Sequence, residues 1–294
     1  MHTTPTPVRG SRALVLGGGG STGNAWLVGV VAGLADAGLD VTDADRTIGT
    51  SAGSTAAVQF AGAAPSDLFD QALTVVPAPP RPAPLHRPVT SQLDRFRAVI
   101  AASADAADMR RRMGAAALEL EAASDGSWPA RWRAIVAARL PSAEWPPNDV
   151  AITAVDASTG EGVVFDRTSG VDVADAVAAS CSSGLPYPIG GRWFIDGGYR
   201  RNENADLAAG YERVLVLSPF SGRTMHPLGW GMQLAAQVDE LRTAGSRVET
   251  VFPTDADEHL FGPNAMDPSL RPDAAQGGHA LGTAVAEHVA AFWR

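Results

Sequence analysis

Apolar residues along the 294-residue chain fall into two rhythms, short unbroken runs and longer stretches spaced by three and four. Residues 12–16 are an apolar run that stops at Gly17–Gly20, the pattern of a buried parallel strand entering a tight turn. From Gly23 the spacing is helical, with Trp26, Val30 and Leu34 beside Leu27 and Val31. Gly38 marks the stop. Residues 46–48 predict a second strand, and Gly49–Gly53 turns into an alanine-rich helix over 54–63. Six prolines within 77–88 make an extended linker. Helical stretches follow at 91–102, 105–123 and 128–140, closed by Pro146 and Pro147. Strands are predicted at 149–155, 162–165, 192–195, 214–217 and 247–252, and helices at 173–179, 228–244 and 273–292. Strands alternating with helices predict an α/β fold. It would be a mainly parallel sheet sandwiched by helices, with a helical insertion at about 77–147. Residues 1–11 read as a loose tail before one domain spanning 12–294.

Composition narrows the classes. The chain is 45% hydrophobic and 19% charged, within the range of globular proteins. Its longest apolar run, residues 25–35, is about half of what a membrane span needs. The run at 13–16 is too short for the core of a signal peptide. A soluble, cytoplasmic protein is the expectation. One cysteine, Cys181, excludes an intramolecular disulfide and thiolate-rich metal sites. A net charge of −9 speaks against nucleic acid as a partner. All 23 basic residues are arginine, and ten of them crowd into 81–139 beside six acids. That excess of positive charge suggests an element with its own surface and predicts salt-sensitive binding to anionic vesicles.

Three motifs carry chemistry. Gly17-Gly18-Gly19-Gly20-Ser21-Thr22-Gly23 follows a strand and opens a helix. Glycines there let successive N–H groups converge on one oxygen, aided by the helix N-terminus. Either a pyrophosphate or the oxyanion of acyl transfer fits such a cradle. Gly49-Thr50-Ser51-Ala52-Gly53 is a G-x-S-x-G between strand and helix, the setting in which a strained turn presents a serine hydroxyl. A dinucleotide site would instead have an acid ending a strand near position 40. Asp40 and Asp43 are at that distance, but no strand-like run leads to them. The third motif, Ile195-Asp196-Gly197-Gly198, delivers a carboxylate at a strand end. None of His2, His86, His226, His259, His279 and His288 has the setting of a catalytic base. No His/Asp/Glu cluster has metal-ligand spacing, so neither metal nor cofactor is expected.

Together and in this order the motifs resemble the patatin-like phospholipase family. The likeness extends to Ala178–Cys181 and Gly184–Pro188 before the aspartate and to residues 202–210 after it. The resemblance implies the family's three-layer fold and a Ser–Asp dyad without histidine. Carried over, Ser51 is the nucleophile and Asp196 the base. Gly18, Gly19 and Gly20 supply the oxyanion hole, and Gly49 and Gly53 frame the elbow. The implied substrate is a lipid or other acyl ester, with transient contact to a membrane surface. The family's glycine loop usually has a basic residue where this chain has Thr22, which weakens the case for an anionic head group. Two other functions remain open: a catalytically silent lipid-binding or regulatory protein, and a dinucleotide-dependent oxidoreductase. Trp128, Trp132, Ile135 and Val136 share a helix face beside Arg131, Arg133 and Arg139. That face suits an interfacial lid or, the preferred reading, packing on the body. Arg110–Arg112 reads as a solvated face, Cys181 as a buried thiol, and Asp156 and Asp166 as turn residues.

Overall fold

The computed structural model describes residues 6–74 and 92–294, so the linker expected at 77–88 lies outside the described residues. The strands are β1 (Val8–Leu16), β2 (Arg46–Gly49), β3 (Val150–Asp156), β4 (Gly162–Phe165), β5 (Tyr187–Ile189), β6 (Arg192–Asp196), β7 (Tyr211–Leu217) and β8 (Arg247–Val251). They pair in the order β5-β6-β3-β2-β1-β7-β8, with β4 also on β3. The pairings β1–β2, β1–β7, β2–β3 and β7–β8 are parallel. Those of β4 and β6 with β3, and of β5 with β6, are antiparallel. The sheet is therefore mixed, with a parallel majority.

Alternation of side chains along each strand builds two cores. Leu14, Leu16, Ile152, Leu215 and Leu217 face one layer, and Ala13, Val15, Ala151, Val214 and Val216 the other. The helices are α1 (Gly20–Asp36), α2 (Ala52–Gly62), α3 (Pro65–Leu73), α4 (Gln92–Ala102), α5 (Ala106–Ala122), α6 (Trp128–Ala137), α7 (Val173–Ser180), α8 (Leu234–Thr243) and α9 (Arg271–Trp293). The first layer takes α1, α2, α3, α6, α7 and α9. The second takes α8, with α5 against Val155 and Ile195 and α4 beside it. The expected insertion helices thus divide between both faces.

Register explains how distant residues meet. Ile152 faces both Gly49 of β2 and Phe165 of β4, while Ala154 faces both Val163 of β4 and Asp196 of β6. A strand residue has one neighbour on each side, so β2 and β6 share the edge of β3 opposite β4. They approach head to head. Their last residues, Gly49 and Asp196, lie opposite positions two apart on β3, ~7 Å along the strand.

Several elements depart from the sequence pattern. Val8–Gly10, expected in a loose tail, already belong to β1 and pair with β7 after an irregularity. The helix α3 was not anticipated because only Leu68 and Ala72 are buried, too few to show a period. β5 hides in a Gly/Pro-rich loop, where Pro188 is tolerated in a short terminal strand of the ladder. The helix expected over 228–244 is interrupted: Gly231 adopts φ 66° after a 3-10 turn, and α8 begins at Leu234.

The helices α1 and α9 touch backbone to backbone. A Cβ on Gly29 would lie 2.1 Å from the Ala275 oxygen, and one on Gly282 would lie 2.2 Å from the Val30 oxygen. Gly33 and Gly278 are equally tight, at 2.2 and 2.4 Å. Helix propensity favours Gly282→Ala by ~1 kcal/mol, whereas this contact forces the helices apart at a cost of ~2 kcal/mol or more. A lowered melting temperature is the expected outcome; a raised one would remove the close-packing account.

Candidate active site

Ser51 lies between β2 and α2 with φ 52° and ψ −115°, a region that costs a non-glycine residue ~1–3 kcal/mol. The chain can turn this sharply because neighbouring positions lack side chains. A Cβ on Gly49 would sit 2.6 Å from the Gly53 oxygen, and one on Gly53 would sit 2.0 Å from the Leu16 oxygen. The Ser51 carbonyl accepts from the Ser54 amide at 2.9 Å and the Ser54 hydroxyl at 2.6 Å. Its amide donates to Ser180 Oγ at 2.9 Å. Both backbone polar groups of Ser51 are thereby held, and the hydroxyl is left for another partner.

That hydroxyl donates to Asp196 Oδ2 at 2.8 Å. The other carboxylate oxygen, Oδ1, accepts from the Gly198 amide at 2.8 Å. Burial pushes the Asp196 carboxyl up to about 6, against the two hydrogen bonds, which favour its ionised form. Asn204, in the left-handed conformation, ties the two strand ends together. Its Nδ2 is 3.0 Å from Thr50 Oγ1, 3.2 Å from Thr153 Oγ1 and 3.2 Å from the Gly197 oxygen. The Thr50 and Thr153 hydroxyls are themselves 2.9 Å apart.

The glycine loop is divided in its duties. Gly18 does not offer a free donor, contrary to the expectation for it: its amide donates to the Asn202 oxygen at 3.0 Å. Asn202 Nδ2 returns a bond to the Gly18 oxygen at 3.2 Å, so one residue clamps both sides of the peptide. Gly18 is there for space, since its Cβ would lie 2.7 Å from Asn202 Oδ1 and 3.6 Å from Ser51 Cβ. Among the described residues, the Gly19 and Gly20 amides meet no acceptor. Asn202 is held in turn by the buried Glu203, whose carboxyl also accepts from the Ser218 hydroxyl at 2.7 Å. Burial raises the Glu203 pKa.

Thr22 is fully buried, and its amide donates to the Ala265 oxygen at 3.1 Å. Positive charge reaches this turn from the far end of the chain instead. Arg271 Nη1 donates to the Ser21 oxygen at 2.8 Å and Nη2 to Asn24 Oδ1 at 3.2 Å. Burial, then the neighbouring Arg139, lower its pKa to about 10, which leaves it cationic at neutral pH.

Cys181 is no rival nucleophile. Burial, then the nearby Asp196 carboxylate, push its thiol up to about 11, and Sγ donates to the Ser51 oxygen at 3.1 Å. His279 pairs with Asp36 and His288 with Glu249, both away from the serine on α9. His226 is buried beside the cleft, with its pKa lowered to about 4 by burial and by Arg110. Asp156 is bound to Arg192 at 2.6 Å and caps a turn at Ser158, and Asp166 caps one at Thr168. Sequence reasoning singled out neither Ser180, Asn202 nor Asn204 for a role; Ser180 and Asn202 hold backbone atoms and Asn204 both backbone and threonine hydroxyls, through side chains whose type alone carries no such signal.

A cavity of about 460 Å³ adjoins the pair, sharing Gly198 and Asn202 with it. Its wall is largely apolar, from Phe96, Phe220, Phe261 and Pro263, with Arg223 and Glu258 paired at 3.0 Å. Among the described residues, no group of three or more His, Cys, Asp or Glu could hold a metal ion, and no helix is long and apolar enough to cross a membrane.

The chain matches the patatin-like phospholipases over residues 14–209, more than half its length, and belongs to that family. The family implies ester hydrolysis on lipids. No curated protein matches the chain. Two solved structures are similar over 96% of it: VipD from Legionella pneumophila, at 13% identity and TM-score 0.44, and the type III effector protein ExoU, at 15% and 0.41. The chain covers 68% of the first and 54% of the second.

The Asn202 clamp can be tested by its removal. Asn202→Ala is expected to lower kcat on a soluble nitrophenyl ester at least ~10-fold, since a loosened donor loop weakens charge stabilisation. KM should move little. An unchanged kcat in steady-state assays would show that the loop holds its shape without the clamp.

Proposed function

We propose that the chain hydrolyses acyl esters of lipids, with Ser51 Oγ as nucleophile and Asp196 as general base. The single observation that supports this most is the 2.8 Å hydrogen bond from the hydroxyl to the buried carboxylate. A carboxylate of ordinary pKa near 4 is a weak base for an alcohol. Burial raises this one to about 6 and aligns it with the proton it takes. As Oγ attacks the ester carbonyl carbon, the proton moves to Oδ2. The Gly19 and Gly20 amides, with the first turn of α1 behind them, then receive the negative oxygen. Collapse of the tetrahedral adduct expels the alcohol, which takes the proton from Asp196 and leaves an acyl-serine. Water deprotonated by the same carboxylate releases the acid and restores the hydroxyl. The apolar cavity beside Gly198 is suited to an acyl chain.

The dinucleotide reading has less support. A pyrophosphate needs more amides than a single oxygen atom does, and in the turn after Gly20 the Thr22 amide is engaged by Ala265. A silent scaffold is less economical than a strained serine poised on a raised-pKa acid. A fluorophosphonate probe should label Ser51, and Ser51→Ala should lose both the label and at least ~10³-fold in nitrophenyl ester turnover. Retained turnover would transfer the chemistry elsewhere.

The pH dependence follows from the carboxyl. The base acts when ionised, so kcat/KM should fall tenfold per unit below an apparent pKa near 6 and level off above it. Stability has the opposite sense. The folded pKa, about 6, exceeds the ordinary 3.8, so the native state is favoured at low pH and loses that stability as pH rises from 4 to 6. Asp196→Asn escapes this penalty. It should be inactive yet more stable than the parent by ~3 kcal/mol above pH 6, an advantage that fades towards pH 4. Denaturant melts across that range would expose a wrong sign.

A further inference from the structure

Within the described residues, several side chains of the basic insertion are engaged by the protein itself. Trp128 stacks on Trp132 at 5.1 Å, and the Trp132 indole donates to the Ala178 oxygen. Arg133 is bound to Asp172 and Asp175, and Arg110 donates to the Gly160 oxygen. On α5 and α6 the exposed large apolar residues are single ones, Leu120 and Ile135.

The exposed apolar residues collect elsewhere. β1, β2, β7 and β8 are parallel, so the loops after β7 and β8 rise at the end where Ser51 follows β2. Those two loops carry Leu228 and Met266, each 70% exposed, together with Met225 and Phe252. Met225 and, from α4, the exposed Leu93 line the cavity beside Gly198. Their charge is also distinctive. Residues 218–233 contain one arginine, Arg223, and residues 252–270 contain Asp255, Asp257, Glu258 and Asp267 with no basic side chain except His259. With Asp94, Arg95 and Arg97 of α4 included, the described residues of this face remain net acidic.

We propose that this acidic, apolar-studded rim is the surface by which the protein seats on a zwitterionic phospholipid layer. The proposal rests on the reading of the site as a lipid ester hydrolase. Leucine and methionine side chains would enter the acyl boundary. The acids would meet choline ammonium groups, the outermost charge of phosphatidylcholine, and would be repelled by anionic lipid. The cleft mouth would then open directly onto the substrate.

The test uses full-length Ser51→Ala protein, so that binding is read without turnover. Co-sedimentation with phosphatidylcholine vesicles should be as strong as with vesicles containing phosphatidylglycerol, or stronger, and should change little with salt. Leu228→Glu and Met266→Glu should each weaken it at least tenfold with the melting temperature unchanged. Ile135→Glu, on the exposed side of α6, should leave it intact. In the background that retains Ser51, Leu228→Glu should keep its rate on a soluble short-chain ester and lose rate on vesicles. Binding that needs anionic lipid, or that Ile135→Glu abolishes while Leu228→Glu does not, would overturn the proposal. So would a rim that proves to bury itself in a dimer dispersed by Leu228→Glu. Absent turnover of the soluble ester by the parent would instead defeat the hydrolase reading and leave the vesicle result standing.

Discussion

Everything at the site depends on two strands that end against each other along one edge of β3. Gly49 and Asp196 stop opposite Ile152 and Ala154, and the gap between them is where the Ser51 hydroxyl meets the carboxylate. A pairing shifted by one residue would send Asp196 to the other face of the sheet. The register is therefore secured by more than the ladder. Thr153, the residue between, is crowded by the position of a Gly197 Cβ at 2.3 Å and touches Thr50 and Asn204 through its hydroxyl. A side chain at Gly197 would push the two ends apart. That is a physical reason for the glycine after the aspartate, independent of any turn.

The same junction keeps a carboxyl out of water, which is unfavourable for the fold and favourable for proton transfer. Among the described residues, the Asp196 carboxylate has two hydrogen-bond donors, Gly198 and Ser51, and no cation partner. An arginine there would pull its pKa down and remove its basicity. The neighbouring arginines are instead tied to other acids, Arg200 to Asp206 and Arg201 to Asp206 and Glu240. Arg271, at the glycine loop, meets the neutral oxygens of Ser21 and Asn24.

What the sequence revealed depended on range. Ser51, Asp196, Gly49 and Gly53 are legible because each answers to a local demand, a sharp turn or a strand end, written in neighbouring residues. Their meeting is not local; it rests on β3 having both β2 and β6 on one side, which periodicity does not encode. Gly18 shows the same limit. The motif places it among the oxyanion glycines, yet its amide is taken by Asn202, 184 residues on. In the insertion a count of arginines gives net charge but not partners: Arg133 meets Asp172 and Asp175, acids of α7 and its approach that lie some forty residues on. The helix α3 and the strand β5 escaped because they bury too little, or contain a proline, to leave a period.

The residues that shape the site are not all within the segment matched to the family. That match ends at 209, while Phe220, His226, Phe261 and Pro263 line the cavity, and Ala265 and Arg271 close the first turn of α1. The helix α9 reaches this position because its glycines seat it against α1 along most of their shared length. Arg271 at its start then lies where the sequence at Thr22 lacks a basic side chain. A charge that a single loop residue could have supplied is brought by a helix packed alongside, held by hydrogen bonds to Ser21 and Asn24. Such an arrangement couples the donor loop to the loop before α9, which carries Met266 beside Gly20. The elbow and the acid lie within the matched segment. The 218–233 and 252–270 loops, with their apolar tips and acids, lie beyond it in this chain's C-terminal third.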